Sequence, residues 1–409
     1  MDYYNPYKLK WGDEIQFPSS KTLCEYGNRI YNRYPARSIF LVPRSILYHE
    51  QKKNIRVLDP FMGSGTTAVE TILSGNIALG VEMDPFARMI SSVSSTIFKK
   101  NELNEIEKTY NEIINNWPKF EAQKKPDLKG IERWFSGNDL EQLLQLKHAI
   151  TEISKKKYIP FFLIAFADCI KPVSLMERQS LKPYISRKYK KQTKPVDESF
   201  KSSFEAHFNA TSQMSNVLQG KAYPLKWLGN DATSFPAPKE LADIAITSPP
   251  YINALDYTRC IKIESAMCDL ISNDSIQSLH KCQIGHEARR NQTIPDKVKN
   301  VFFDYYKKIN AIDEMRAQTA MAFFNDIFKN LNCVKKALKD GAVYHMIIGD
   351  NNIRKIFIPS HEIIAHLAEE IGFHWIGYYK YQIKDHRMSI PRNSDDSKIN
   401  YEHVIMLKK

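Results

Sequence analysis

Ahead of residue 100, apolar residues form two short unbroken runs, Ile55 to Leu58 and Ile77 to Val81, and each is followed by a polar turn and then by helical spacing. The first run ends at Asp59-Pro60, passes a glycine-rich turn and leads into a helix over Thr66 to Leu73; the second ends at Glu82, and Pro85 opens a helical stretch to about Phe98. Strand and helix thus alternate. From Lys99 to Gln219 the alternation stops, and helical segments (Glu102 to Trp117, Asn138 to Lys155, Pro160 to Ile170) followed by a basic stretch read as an insertion. Strands resume at Tyr223 to Leu228, ending in Gly229-Asn230-Asp231, and at Asp243 to Ile246, ending in Thr247-Ser248-Pro249-Pro250-Tyr251. Ile252 to about Ile312 reads as irregular. An amphipathic helix over Glu314 to Leu338 with Gly341 past its end precedes a strand at Ala342 to Ile348. Ser360 is the expected N-cap of a helix over His361 to Ile371 that Gly372 stops, and two strands, His374 to Ile383 and His403 to Leu407, are joined by a polar loop containing Pro391.

This order predicts an α/β fold: a doubly wound seven-stranded sheet with an antiparallel last strand, plus a largely helical insertion. Residues 1–98 and 221–409 would form the two parts of one domain, and 99–220 the insertion. Doubly wound sheets bind ligands at the C-terminal ends of their strands, where every conspicuous polar motif of this chain falls.

Composition narrows the classes. With 43% hydrophobic and 25% charged residues among 409, the chain can bury a sizeable core, and no apolar run nears the roughly 20 residues that cross a bilayer. The N-terminal residues lack a secretion signal, so a cytoplasmic location is expected. The cysteines Cys24, Cys169, Cys260, Cys268, Cys282 and Cys333 include no CxxC pair, which argues against a structural metal and against a disulfide framework. A net charge of +12 favours a polyanionic partner. The charge concentrates in Lys182 to Lys201, where Arg187, Lys188, Lys190 and Lys191 are interleaved with Tyr184, Tyr189 and Phe200, a mixture suited to phosphates and bases and equally to a solvated loop. Arg259, Lys262, Arg289 and Arg290 offer a second basic surface.

In Asp59-Pro60-Phe61-Met62-Gly63-Ser64-Gly65-Thr66-Thr67 the two glycines allow a tight turn and a close backbone approach to a ligand. The spacing also fits a dinucleotide fingerprint, which keeps a nicotinamide enzyme open, but no Gly-Lys-Ser/Thr of a Walker loop follows. Asp59 would repel a pyrophosphate and suits an ammonium or hydroxyl group. With Glu82 for ribose hydroxyls and Asp231 for an adenine amino group, three strand-end acids match three donor groups of an adenosyl ligand bearing a sulfonium amino acid. Each acid alone is better explained by a cap or a turn; together on successive strand ends they are not.

Ser248-Pro249-Pro250-Tyr251 presents rigid acceptors, because neither proline has an N–H. The Ser248 hydroxyl and a loop carbonyl, that of Pro249, would accept the hydrogens of an exocyclic base amine and favour the pyramidal nitrogen that attacks a methyl group. Tyr251 would stack on a base swung out of the helix, or else is a packed core tyrosine. No Pro-Cys dipeptide supplies a nucleophile for methylation at a ring carbon.

These two motifs resemble the cofactor and catalytic motifs of bacterial site-specific DNA amino-methyltransferases, and the Ser-Pro-Pro-Tyr form resembles the N4-cytosine branch. The likeness extends to Tyr34-Pro35-Ala36-Arg37 with Val42-Pro43, which in that family flank the methionine part of the cofactor, and to Ala254-Leu255-Asp256-Tyr257. The resemblance implies a methyltransferase sheet, S-adenosyl-L-methionine as cofactor, double-stranded DNA with its target base flipped out, and a cognate restriction endonuclease as a companion in the cell. It implies cofactor contacts from Pro35, Arg37, Asp59, Pro60, Phe61, Gly63, Ser64, Gly65, Thr66, Thr67, Glu82 and Asp231. The insertion is the candidate target-recognition region. An N6-adenine enzyme, an RNA base-amine methyltransferase and a silent cofactor-binding recognition subunit are the alternatives.

Overall fold

The structure, a computed structural model, describes residues 3–17, 34–178, 180–188, 190–252, 255–383 and 399–409. Cys24, Tyr189, Ala254 and the Pro391 loop lie outside the described residues.

A sheet of eight strands runs through the molecule in the order β1-β9-β10-β6-β5-β2-β3-β4. The strands are β1 (Asp13–Ile15), β2 (Arg56–Asp59), β3 (Ile77–Val81), β4 (Leu225–Gly229), β5 (Ile244–Thr247), β6 (Val343–Gly349), β9 (His374–Gln382) and β10 (Tyr401–Lys408), while β7 (Asn351–Ile353) and β8 (Ile356–Ile358) form a separate antiparallel pair. Strands β4, β3, β2, β5 and β6 pair in parallel, and β10 is antiparallel to both β6 and β9. The antiparallel strand is as expected. Eight strands replace the expected seven because β1, too short to show an alternating pattern, joins the edge in parallel register with Tyr379 to Tyr381 of β9.

Helices cover both faces. On one, α10 (Asp296–Asn310), α11 (Glu314–Ala337) and α12 (Ser360–Glu369) pack on Leu58, Ala245, Ile348 and Ile405; on the other, α1 (Leu41–Glu50) packs on Val57, Ile244, Ile347 and Val404. Adjacent strand residues thus face opposite layers, which is why these strands read as unbroken apolar runs. Helices α2 (Thr66–Leu73) and α3 (Pro85–Ser94) follow β2 and β3. Asp84 starts α3, accepting hydrogen bonds from the Phe86 and Ala87 N–H groups, with Pro85 in the first turn.

The insertion contains α4 (Lys100–Asn116), α5 (Asp139–Ile153), α6 (Ile159–Val173) and α7 (Val196–Val217), whose Phe162, Phe166, Phe200 and Phe204 are buried in one core with Phe86 and Ile90 of α3. Tyr110 stacks on Phe204 with ring centroids 3.8 Å apart. Phe200 is therefore a core residue on α7 and is withdrawn as a stacking partner for a base. The segment read as irregular is largely helical: α8 (Tyr257–Met267), α9 (Asn273–Cys282) and α10 lie within it, and α8 buries Ile261, Ile263 and Met267 in the insertion's core. Their starts carried signals, since Asp256 accepts from the Arg259 N–H and Ser272 from that of Ser275. Ser360 is the first residue of α12 and not its cap, which is Pro359.

Gly65 has φ +87°, and a Cβ there would lie 2.9 Å from the Ser91 Cα of α3. Gly65→Ala is expected to lower unfolding free energy by about 2–4 kcal/mol through left-handed strain and the forced separation of α2 from α3. Urea titration measures it; an unchanged midpoint would show that the helices part at no cost.

Candidate functional site

A cavity of about 460 Å³ opens at the C-terminal ends of β2, β3, β4 and β5. Its size suits a nucleoside-scale ligand. The wall includes Asp59, Pro60, Phe61, Gly63, Ser64, Thr66, Thr67, Glu82, Arg37, Asp231, Ser248 and Pro250, so the motif after β2, the acids after β3 and β4, and the loop after β5 meet in one place. Gly65, Pro35, Pro249 and Tyr251, named with them from the sequence, are not on that wall. Gly65 instead sets the contact with α3, and Pro35 and Pro249 are buried.

The acids shape the loops that hold them. Glu82 accepts from the Gly63 N–H at 2.7 Å through one oxygen and from the Asp84 N–H at 2.9 Å through the other, so one carboxylate ties the turn after β2 to the turn after β3. Asp59 accepts from the Phe61 N–H at 3.0 Å and from the Thr247 hydroxyl, linking the turn after β2 to the end of β5. Arg88 donates to the Gly229 carbonyl at 2.8 Å and lies 4.4 Å over the Trp227 ring, holding the end of β4. Asp231 differs from the other two. It is exposed, and its carboxylate accepts from its own turn, at 2.8 Å from the Thr233 N–H.

Burial pushes Asp59 up to about 6 against hydrogen bonds from Thr247, Thr67 and Phe61, and pushes Glu82 up to about 7 and Asp84 to about 6. A carboxylate in low dielectric favours its neutral form until a cation or further donors arrive. The first turn of α2, whose N–H groups have no intrahelical acceptor, is the positive counterpart on the same wall.

Three groups of wall residues went unrecognised. Asp84 sits in an Asp-Pro pair, a helix-start signal that also places a fourth acid here. Tyr257, part of a noted segment but given no role, packs 6.3 Å from Tyr34 in a stacked arrangement above Gly63. Ser275, Ser278, Leu279 and Cys282 come from α9, a helix with no fully buried residue and so little apolar stripe to reveal it, and Gln283 is its C-cap.

In the loop after β5 Ser248 faces the cavity, whereas the Tyr251 hydroxyl points to β10. Tyr251 in turn donates to Glu402 Oε1 at 2.6 Å, and the Tyr381 hydroxyl donates to Glu402 Oε2. The Tyr251 ring fits over Gly349, where a Cβ would come within 2.9 Å of it.

Arg187, Lys188 and Lys190 are exposed, whereas the Lys191 ammonium donates to the Lys171 and Ser174 carbonyls and anchors the segment to the end of α6. The second basic surface loses Arg289, which makes paired 2.7 Å hydrogen bonds to the fully buried Asp326. Among the described residues Asp350, His361 and His403 bring possible metal ligands together, but the two imidazoles are parallel and 3.9 Å apart, so their lone pairs do not converge on a point. No helix of the described residues is long and apolar enough to cross a membrane.

No protein-family profile matches the chain. It is 25% identical to the Type II methyltransferase M.MvaI of Kocuria varians over 92% of this chain and 88% of that protein. It is 23% identical to the Type II methyltransferase M.AvaI of Nostoc sp. (88% and 81%), and 25% identical to the Type II methyltransferase M.BsoBI of Geobacillus stearothermophilus (71% and 61%).

A cationic nucleoside held against Asp59, Glu82 and Asp84 would lower their raised pKa values, favouring the ionised carboxylates and releasing protons below about pH 7. Affinity for S-adenosylmethionine is expected to rise roughly tenfold from about pH 5.5 to about pH 7.5 and then level off. Calorimetry in buffers of different ionisation enthalpy reads both quantities; affinity independent of pH would remove these acids from the contact.

Proposed function

We propose that this homologue of the Type II methyltransferases transfers a methyl group from S-adenosylmethionine to the N4 amine of cytosine within a specific sequence of double-stranded DNA. The observation that carries this is the shared wall: Ser248, an acceptor for an amine, opens onto the same cavity as Asp59, Glu82 and the glycine turn.

The donor set fits the cofactor, with buried acids for its ammonium and hydroxyl groups, Phe61 for an apolar face, and Arg37 for a carboxylate. Glu82 keeps lone pairs for ribose hydroxyls beyond those given to Gly63 and Asp84, and Asp231 is assigned to the adenine amino group. When bound, the cofactor supplies an electrophilic methyl group. Ser248 Oγ and the Pro249 carbonyl accept the two amine hydrogens, which directs the nitrogen lone pair out of conjugation and towards the methyl carbon. Tyr251, half-buried with its hydroxyl fixed, offers its remaining ring surface to the flipped base.

Arg187, Lys188 and Lys190 of the insertion, with Arg259 and Lys262 of α8, are assigned to DNA phosphates. The insertion as the target reader is supported by its direct packing on α8, which follows the catalytic loop.

Ser248→Ala is expected to leave cofactor affinity intact and to lower single-turnover methylation about 10²–10³-fold. Mass spectrometry of digested wild-type product DNA should show N4-methylcytosine. N6-methyladenine would keep the mechanism and change the base, and a Ser248→Ala enzyme of normal rate would remove the mechanism. Replacing Arg187, Lys188 and Lys190 together by Ala should flatten the salt dependence of DNA binding by up to about one unit per lost contact. An unchanged slope would make the segment a solvated loop.

A further inference from the structure

One polar side chain on the cavity wall is only half used by the protein. Gln283, the C-cap of α9, is 4% exposed and lines the cavity. Its Nε2 donates to the Leu255 carbonyl at 2.8 Å, tying the end of α9 to the segment that follows the loop after β5. Its Oε1 is buried with no hydrogen-bond partner among the described residues. The tie to Leu255 needs only the donor side of the amide. An acceptor left unpaired in the interior is a standing cost, which a donor on a ligand would remove.

The neighbours of Gln283 place it at the end of the cavity formed by the turn after β4. Ile284 shares an apolar cluster with Phe61, Leu228 and Ala232, and Ile284, Phe61 and Ala232 also line the cavity. On the other side of Gln283, the Cys282 carbonyl accepts from Arg289 at 3.3 Å, and the same guanidinium interacts electrostatically with Asp231. Apolar side chains and two acceptors, Asp231 and Gln283 Oε1, thus meet at this end, whereas Asp59 and Glu82 belong to the turns after β2 and β3. A flat ring with a hydrogen-bond donor on its edge suits such a place.

Resting on the reading of this cavity as the S-adenosylmethionine site, we infer that Gln283 Oε1 accepts one hydrogen of the cofactor's adenine amino group while Asp231 accepts the other, so that α9 makes the site selective for a 6-aminopurine. An exocyclic amine carries two hydrogens, and each needs its own acceptor. Asp59 and Glu82 are matched to the ammonium and the ribose hydroxyls, so at this end of the cavity the second amino hydrogen is the donor still without a partner. The target cytosine does not compete for Gln283, because the hydrogens of its one amino group go to Ser248 and the Pro249 carbonyl. A 6-oxo purine would set its carbonyl against two acceptors and is disfavoured.

The probes are S-adenosylhomocysteine, its 6-oxo counterpart S-inosylhomocysteine and its N6-methyl derivative, with affinities read by titration calorimetry on the full chain. Gln283→Leu is expected to weaken S-adenosylhomocysteine about tenfold and to leave S-inosylhomocysteine unchanged or tighter, so the preference for the amine narrows by about tenfold or more. Loss of the Leu255 tie alone would weaken both ligands equally; a preference that stays intact therefore overturns the assignment. On the wild-type chain the N6-methyl derivative should bind about tenfold or more weakly than its parent, since with both hydrogens held the methyl group must displace an acceptor. Binding equal to the parent overturns the assignment as well, and decides alone if Gln283→Leu misfolds. Asp59→Ala and Glu82→Ala separate the failures. If neither alters the affinity for S-adenosylhomocysteine, the nucleoside lies elsewhere and the underlying reading fails, whereas weakening in both with an unchanged preference in Gln283→Leu sinks only the role of Gln283.

Discussion

A single carboxylate clips two loops together. Glu82 spends one oxygen on the Gly63 N–H and the other on the Asp84 N–H, so the turn after β2 and the turn after β3 cannot move independently. Asp59 makes the comparable tie to β5 through Thr247. Without these bonds the backbone N–H groups at the strand ends would be buried unpaired, at about 1–3 kcal/mol each. On the proposed reading, the polar residues that shape the cavity also hold its ligand, which would couple loop order to ligand binding.

The parallel part of the sheet was legible because its strands are buried on both faces. Val57 faces α1 and Leu58 the opposite layer, Ile244 and Ala245 repeat the pattern, and the result in sequence is an unbroken apolar run ending in a polar motif. Recognition of the family from two such motifs agrees with the Type II methyltransferases found as homologues. Strand β1 was not legible, since three residues with an intermediate-exposed-intermediate pattern carry no period and gain their conformation from β9.

At the site, local chemistry was readable and long-range partnership was not. Asp59, Glu82 and Ser248 stand next to turns whose geometry follows from glycine and proline, and the structure brings them together. The hydroxyl partner of Tyr251 lies 151 residues away on β10, and no spacing rule connects them. Likewise α9 contributes part of the wall yet buries no residue completely, so hydrophobic periodicity had nothing to register. Lys191 and Arg289 show the same limit for charge, because a basic residue in sequence does not reveal a carbonyl or carboxylate already holding it.

The place of β10 also governs how the chain must be assembled during synthesis. Strand β10 lies between β6 and β9, yet both emerge from the ribosome before it. Until β10 arrives, β6 and β9 each present an open edge to any passing strand, and they have no pairing with each other to fall back on. Closing the sheet therefore requires the last strand in chain order to enter between two earlier ones, a long-range step that leaves both edges open to other strands until it occurs.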